Sequence, residues 1–291
     1  MRLQGTILYC GRGCIELDIR YSVDMVKLKT RLKVDYVEKI ISLFSSEPNC
    51  LYWEKRGIGD YRHNFKFDEG SNQNWYLAVQ HNSALRSAKV DVVLKYNPNK
   101  CKCAPLLDCV LANFYRNSPN VEVLSMDIAC DIPCNILDLS FRKGKRDMIT
   151  YDKGSDNKTF YIGARGSNGY SKIYNKKRES SLDYELTRYE ITILPKMLIS
   201  SMINGCYQFD ADLLLPISHV GGFQFQLGDE LSGQDKLNVL ACMDNPNLLG
   251  LLDKRKAKKI REILSLINPL PFDTANINLV ISDFLKTIYT Y

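Results

Sequence analysis

A tyrosine set between two lysines is the part of this 291-residue chain whose residue types and spacing could do chemistry. In the stretch Thr159–Glu179 two short strands, Thr159–Ala164 and Tyr170–Lys176, are predicted around a turn rich in Gly, Ser and Asn. Side chains alternate along a strand, so Lys172, Tyr174 and Lys176 share one face. A free phenol, with a pKa near ~10, is a poor nucleophile at neutral pH, and adjacent positive charge favours its phenolate. The same lysines would hold a phosphodiester. Read alone, the pattern also describes a solvated basic hairpin whose tyrosine lines a core, the more common use of a charge run.

Carboxylates stand on two further predicted strands. In Val121–Ile132, Asp127, Ala129 and Asp131 fall on one face and Met126, Ile128 and Cys130 on the other. Two aspartates on a hydrophobic strand either face solvent or form a metal or acid–base site, because carboxylates are seldom buried without partners. In Tyr184–Leu194, Arg188 and Glu190 share a face, while Tyr189 faces away as a core residue or a rival nucleophile. The three histidines, His63, His81 and His219, are far apart. A divalent ion acting here would therefore take carboxylate ligands, which points to Mg²⁺ or Mn²⁺.

Charge is localised. The chain carries a net charge of +6, yet Arg142–Glu179 alone holds eleven Lys or Arg against four Asp or Glu. A surplus confined to the hairpin and its approach suits a polyanionic partner. A second basic cluster, Lys254, Arg255, Lys256, Lys258, Lys259 and Arg261, lies in a predicted helix over Leu251–Ile267. The ten cysteines are spread out without a C-x-x-C pair, which implies reduced, mostly buried thiols. The N-terminus lacks the features of a secretory signal and no apolar run approaches a membrane span, so a cytoplasmic, non-membrane protein is expected.

These side chains must be positioned by an α+β fold, with a central, mainly antiparallel sheet, flanking helices and a helical C-terminal region. The pattern predicts a strand at Cys14–Tyr21, a helix at Met25–Phe44, and antiparallel strands within Tyr61–Leu94. Helices are predicted at Leu106–Tyr115, Lys196–Asn204, Asp235–Met243 and Asn276–Tyr289. A division near Gly228 would separate a domain carrying these side chains, 1–228, from a helical region, 229–291.

Three segments together resemble the replication initiators of small rolling-circle plasmids of the staphylococcal type, the Rep_trans proteins, which are related to some conjugative relaxases. They are Tyr96-Asn97-Pro98-Asn99-Lys100, then Met126-Asp127-Ile128-Ala129-Cys130-Asp131, and Tyr161–Glu179 followed by Arg188-Tyr189-Glu190. The resemblance implies Tyr174 as the nucleophile that nicks origin DNA, leaving a 5′-phosphotyrosyl link and a free 3′-hydroxyl. It also implies metal dependence, a homodimer and a recruited host helicase. On this reading Lys172 and Lys176 assist Tyr174, and Asp127, Glu190 and Asp131 hold the metal. Arg165, Ser167, Lys177, Arg178, Arg188, Lys254, Arg255, Lys258 and Lys259 contact duplex or single-stranded origin DNA. The chain departs from the family pattern at Lys95, where relatives carry an acid, and at Lys172, where they carry arginine. Lys95 throws the metal-ligand role onto Asp131 or a further carboxylate such as Asp18. A conjugative relaxase and a non-catalytic DNA-binding protein of the same fold are the alternatives.

Overall fold

Alternation of apolar and polar side chains runs through most of the chain, and the computed structural model describes residues 6–8, 15–55, 61–70, 72–80, 89–118, 120–194, 209–219, 232–244, 246–265 and 270–289. Fourteen strands are formed among them: β1 (Thr6–Leu8), β2 (Ile15–Leu17), β3 (Arg20–Lys33), β4 (Cys50–Glu54), β5 (His63–Asp68), β6 (Asn74–Val79), β7 (Lys89–Tyr96), β8 (Glu122–Ile132), β9 (Leu139–Phe141), β10 (Met148–Asp152), β11 (Lys158–Ile162), β12 (Ser171–Asn175), β13 (Thr187–Ile193) and β14 (Ile217–His219). Ten of these make one sheet in the order β10-β11-β12-β13-β8-β3-β7-β6-β5-β4. Every pairing in it is antiparallel. The helices are α1 (Val34–Ser45), α2 (Pro105–Asn117), α3 (Lys176–Ser180), α4 (Gly233–Asp244), α5 (Lys254–Ser265) and α6 (Thr274–Tyr289). The fold is α+β, as expected.

The strand β3 corrects the expected helix at Met25–Phe44. Val26, Leu28, Thr30 and Leu32 are buried at every second position while Lys27, Arg31 and Lys33 stay exposed, which is a strand period. The helix starts only at Val34, and β4 is a strand that the pattern did not reveal.

One face of the sheet is covered and the other is open. Val26, Leu28 and Leu32 of β3, Leu94 of β7, Ile128 of β8 and Ile191 of β13 are fully buried in one core. Val37, Ile40 and Phe44 of α1 close that core, with Leu107 and Phe114 of α2 and Ile277, Ile281 and Leu285 of α6. Burying such side chains contributes roughly 1.5–3 kcal/mol each. Glu69 fixes the start of α2 by accepting from the Leu106 and Leu107 amides at 3.0 and 3.2 Å, where the helix leaves N–H groups unpaired.

Helices α4 and α5 have a small core of their own around Val239, Cys242, Ile260 and Leu264, whereas α6 returns to the sheet. The boundary expected near Gly228 and the helix expected at Lys196–Asn204 lie outside the described residues. No helix among the described residues is long and apolar enough to cross a membrane.

Candidate functional site

The open face of β12, β13, β8 and β3 gathers the reactive side chains because register places them side by side. Lys172 lies opposite Glu190, and Tyr174 opposite Arg188. On the next pair Arg188 lies opposite Asp131, Glu190 opposite Ala129 and Thr192 opposite Asp127. The hairpin turn before β12 needs positive φ at Gly163, Gly166 and Gly169, conformations that glycine adopts without steric cost.

Tyr174 donates its hydroxyl proton to Glu190 Oε1 at 2.7 Å. Glu190 Oε2 lies 3.6 Å from Lys172 Nζ, and that ammonium sits 3.8 Å above the Tyr174 ring centroid. Lys176 is farther from the ring, at 5.8 Å, and is itself held by Glu179 at the start of α3. Tyr174 is only 5% exposed. Burial, then the neighbouring Glu190 charge, raises its pKa far above that of a free phenol. The expectation that the lysines favour a phenolate is therefore corrected: the resting group is a phenol aimed at a base. Glu190 is in turn held above the usual glutamate range by burial, against the pull of Lys172.

Arg188 was expected to contact DNA, but its guanidinium is largely buried and engaged. It donates from Nε and Nη2 to Asp131 at 2.6 and 2.8 Å, and from Nη1 to Asp24 at 2.6 Å. Burial works against this charge, yet the Asp131 bonds keep the arginine protonated above its usual value. Arg188 thus positions the floor beneath Tyr174 and offers little to a phosphate.

Asp24 is the site residue that the sequence did not reveal. Between Val23 and Met25 the pairing of β3 with β8 slips by a bulge, and bulges re-aim side chains. Asn97 donates to Asp24 Oδ1 at 3.1 Å while its own Oδ1 accepts from the Asn99 and Lys100 amides. Asn99 donates to the Val23 carbonyl at 2.6 Å. The Asn97-Pro98-Asn99-Lys100 turn is thus a clamp on the bulge. Asp18, the carboxylate suggested by the sequence, pairs instead with Arg20 at an exposed position.

A cleft of about 770 Å³ opens beside Glu190, lined by Asp127, Lys95, Lys27, Arg165, Tyr161 and Tyr76 among others. A smaller one, about 440 Å³, contains Tyr174, Lys158 and Arg178. Tyr161 and Lys172 line both. Asp127 accepts from the Thr192 hydroxyl at 2.7 Å. Burial raises its pKa, Thr192 and Lys95 oppose that rise, and Asp24 adds to it.

The three expected metal ligands are not brought together. Asp131 stands four residues from Asp127 on one strand, roughly 13 Å along it, and is engaged by Arg188. Among the described residues no three of His, Cys, Asp and Glu are grouped to enclose an ion. Asp127 and Glu190 do share the larger cleft, and Asp24 disfavours the charge of both. Two carboxylates suit Mg²⁺ or Mn²⁺, which commonly take their other ligands from water and phosphate.

The remaining expected DNA contacts divide. Arg165 is exposed at the cleft rim. The Ser167 hydroxyl donates to the Ala164 carbonyl at 2.6 Å, which is turn chemistry. Lys177 is paired with Glu185, and Arg178 with Asp156. Lys254 and Arg255 are exposed on α5, Lys258 lies 3.9 Å from Glu262, and Lys259 ties α5 to Asp235 of α4 at 2.7 Å. Tyr189 is fully buried and its oxygen accepts from the Leu215 amide at 2.9 Å.

No protein-family model and no curated protein matches the chain. Among solved structures it is similar to a rolling circle replication initiator protein from Geobacillus stearothermophilus, with 16% identity and a TM-score of 0.38, over 60% of this chain and 74% of that one. A likeness so loose carries nothing about chemistry, which has to come from the site.

Proposed function

We propose that the protein nicks and rejoins one strand of origin DNA, as a rolling-circle initiator, with Tyr174 as the nucleophile. The observation that carries this reading is the 2.7 Å hydrogen bond from the Tyr174 hydroxyl to Glu190, beside a cationic cleft. A nucleophile, an oriented base and a place for a polyanion are the parts that transesterification needs.

Glu190 takes the phenolic proton as the Tyr174 oxygen bonds to phosphorus and the bond from phosphorus to the 3′ oxygen breaks. The 3′ oxygen is protonated from solvent, and the phosphodiester is kept as a 5′-phosphotyrosyl link. Burial raises the basicity of Glu190, which brings it closer to what a base at neutral pH requires. Lys172 moves its charge from the tyrosine ring to the non-bridging oxygens, uncovering the ring as the strand enters. Arg188, locked between Asp24 and Asp131, fixes the strand that carries Glu190. Asp127 would hold a Mg²⁺ or Mn²⁺ ion in the same cleft, with phosphate and water as its other ligands, and the ion would polarise the phosphate.

The test is incubation with supercoiled plasmid bearing the cognate origin, with and without Mg²⁺ or Mn²⁺, followed by denaturing electrophoresis. An open circle with covalently attached protein is expected from the wild type, and none from Tyr174→Phe. An adduct formed by Tyr174→Phe would remove Tyr174 from the reaction.

A further inference from the structure

The open face continues past the cleft onto β7, β6, β5 and β4, where the reaction has no use for it. Register builds a row across these strands: Lys27 lies opposite Lys95, Lys95 opposite Tyr76, and Tyr76 opposite Lys66. With neighbouring strands roughly 4.8 Å apart, Lys66 and Lys27 are about 15 Å apart across the sheet. All three lysines are exposed, and Lys27 and Lys66 form no ion pair with any described residue. Like charges directly opposite one another in a sheet are unfavourable. A polyanion laid across the row would relieve that repulsion.

Aromatic rings stand in the same place. The Tyr76 hydroxyl donates to Asn64, which pins its ring, and the Trp53 ring lies 5.8 Å away at 35°. Both rings are partly exposed. Carboxylates on this face are engaged or at its margins: Asp91 pairs with Lys29 at 2.6 Å and with Arg31 at 3.2 Å, Asp68 accepts from the Gly70 amide, and Glu122 is at the far end of β8. Tyr76, Lys95 and Lys27 also line the larger cleft, so row and cleft are one surface.

We infer that Trp53 and Tyr76, with Lys27, Lys66 and Lys95, form a platform for the single-stranded segment that leaves the nicking cleft, bases stacked on the rings and phosphates on the lysines. Unpaired bases can stack on protein rings, whereas duplex bases are already stacked on one another, so the occupant is a single strand. The inference rests on the nucleic-acid reading of the cleft, but assigns the far half of the sheet a task of its own.

Trp53 makes the test direct, because the chain has two tryptophans and the other, Trp75, is buried in the core. Tryptophan fluorescence is followed while an oligothymidylate of about 15 nucleotides is added, a length that spans such a site. Saturable quenching is expected in the wild type and in Tyr174→Phe, and none in Trp53→Phe. Measured by anisotropy of a labelled oligonucleotide, Trp53→Ala loses about tenfold or more in affinity. The double variant Lys66→Ala, Lys95→Ala lowers the slope of log affinity against log salt by about 1.4, at ~0.7 per neutralised phosphate on a single strand. An unchanged slope, or equal competition by a duplex of the same length, overturns the platform. Nicking without quenching would sink the platform and spare the cleft; quenching by a protein that never nicks would do the reverse.

Discussion

Tyr174 and Tyr189 sit on neighbouring antiparallel strands and face opposite ways, one toward the cleft and one into the core. Both are buried and both have a raised pKa, Tyr189 to about 12 and Tyr174 further still. Burial alone therefore does not make a nucleophile. The difference lies in the partner of the oxygen. Tyr174 donates to a carboxylate that can carry its proton away, which leaves the oxygen lone pairs free for attack. Tyr189 accepts from the Leu215 amide, so a lone pair that a nucleophile would need is already occupied. The same residue type becomes a candidate for catalysis on one face and a structural post on the other.

The contrast can be broken first at Glu190. Glu190→Gln is expected to slow covalent adduct formation by about 10²–10⁴-fold, the usual share of a positioned base. Glu190 must be ionised to act, and burial raises its pKa, so wild-type activity falls as the pH drops through a value above the ordinary glutamate range. That acid limb should be missing from the Gln variant. A single-turnover pH profile that is the same in both proteins would leave Tyr174 no different in kind from Tyr189.

The next largest effect is expected from Arg188. Arg188→Met leaves Asp24 and Asp131 without their cation in a largely buried setting, a loss of about 3–5 kcal/mol by denaturant unfolding. Adding Asp24→Asn and Asp131→Asn should return much of it, since the cost arises from uncompensated charge. If the triple variant is no more stable than the single one, the arginine supports the site by packing alone.

Tyr189→Phe sharpens the structural half of the contrast. It deprives the buried Leu215 amide of its acceptor, at about 1–3 kcal/mol of stability, while the yield of covalent adduct stays at the wild-type level. The smallest change belongs to α5. Lys254→Ala with Arg255→Ala should weaken duplex binding several-fold, with a fall of about 0.9 in salt slope for each phosphate that is no longer neutralised. An unaltered slope would reduce that helix face to a solvated surface.

Much of the sheet was legible because a period of two is a local property. The buried Met126, Ile128 and Cys130 against the open Asp127 and Asp131 follow from alternation in one strand. So do the partition of Tyr189 from Glu190 and the placing of Lys172 with Tyr174. The error at β3 is equally physical. Its apolar residues run into those of α1 without a break, and a short apolar run fits either period. That misreading hid Asp24, since a residue expected at a junction between elements has no assigned face.

Residue order alone determined which side chains share a face of their own strand, and left open which tyrosine meets the cleft and which the core. It did not determine neighbours. Strand order and register set Tyr174 against Arg188, Glu190 within a hydrogen bond of the phenol, and Asp131 in the grip of Arg188. Those relations join residues distant in the chain through ladder hydrogen bonds and a shared core. Alternation within a strand does not encode them, and a bulge of one residue was enough to add Asp24 to the site.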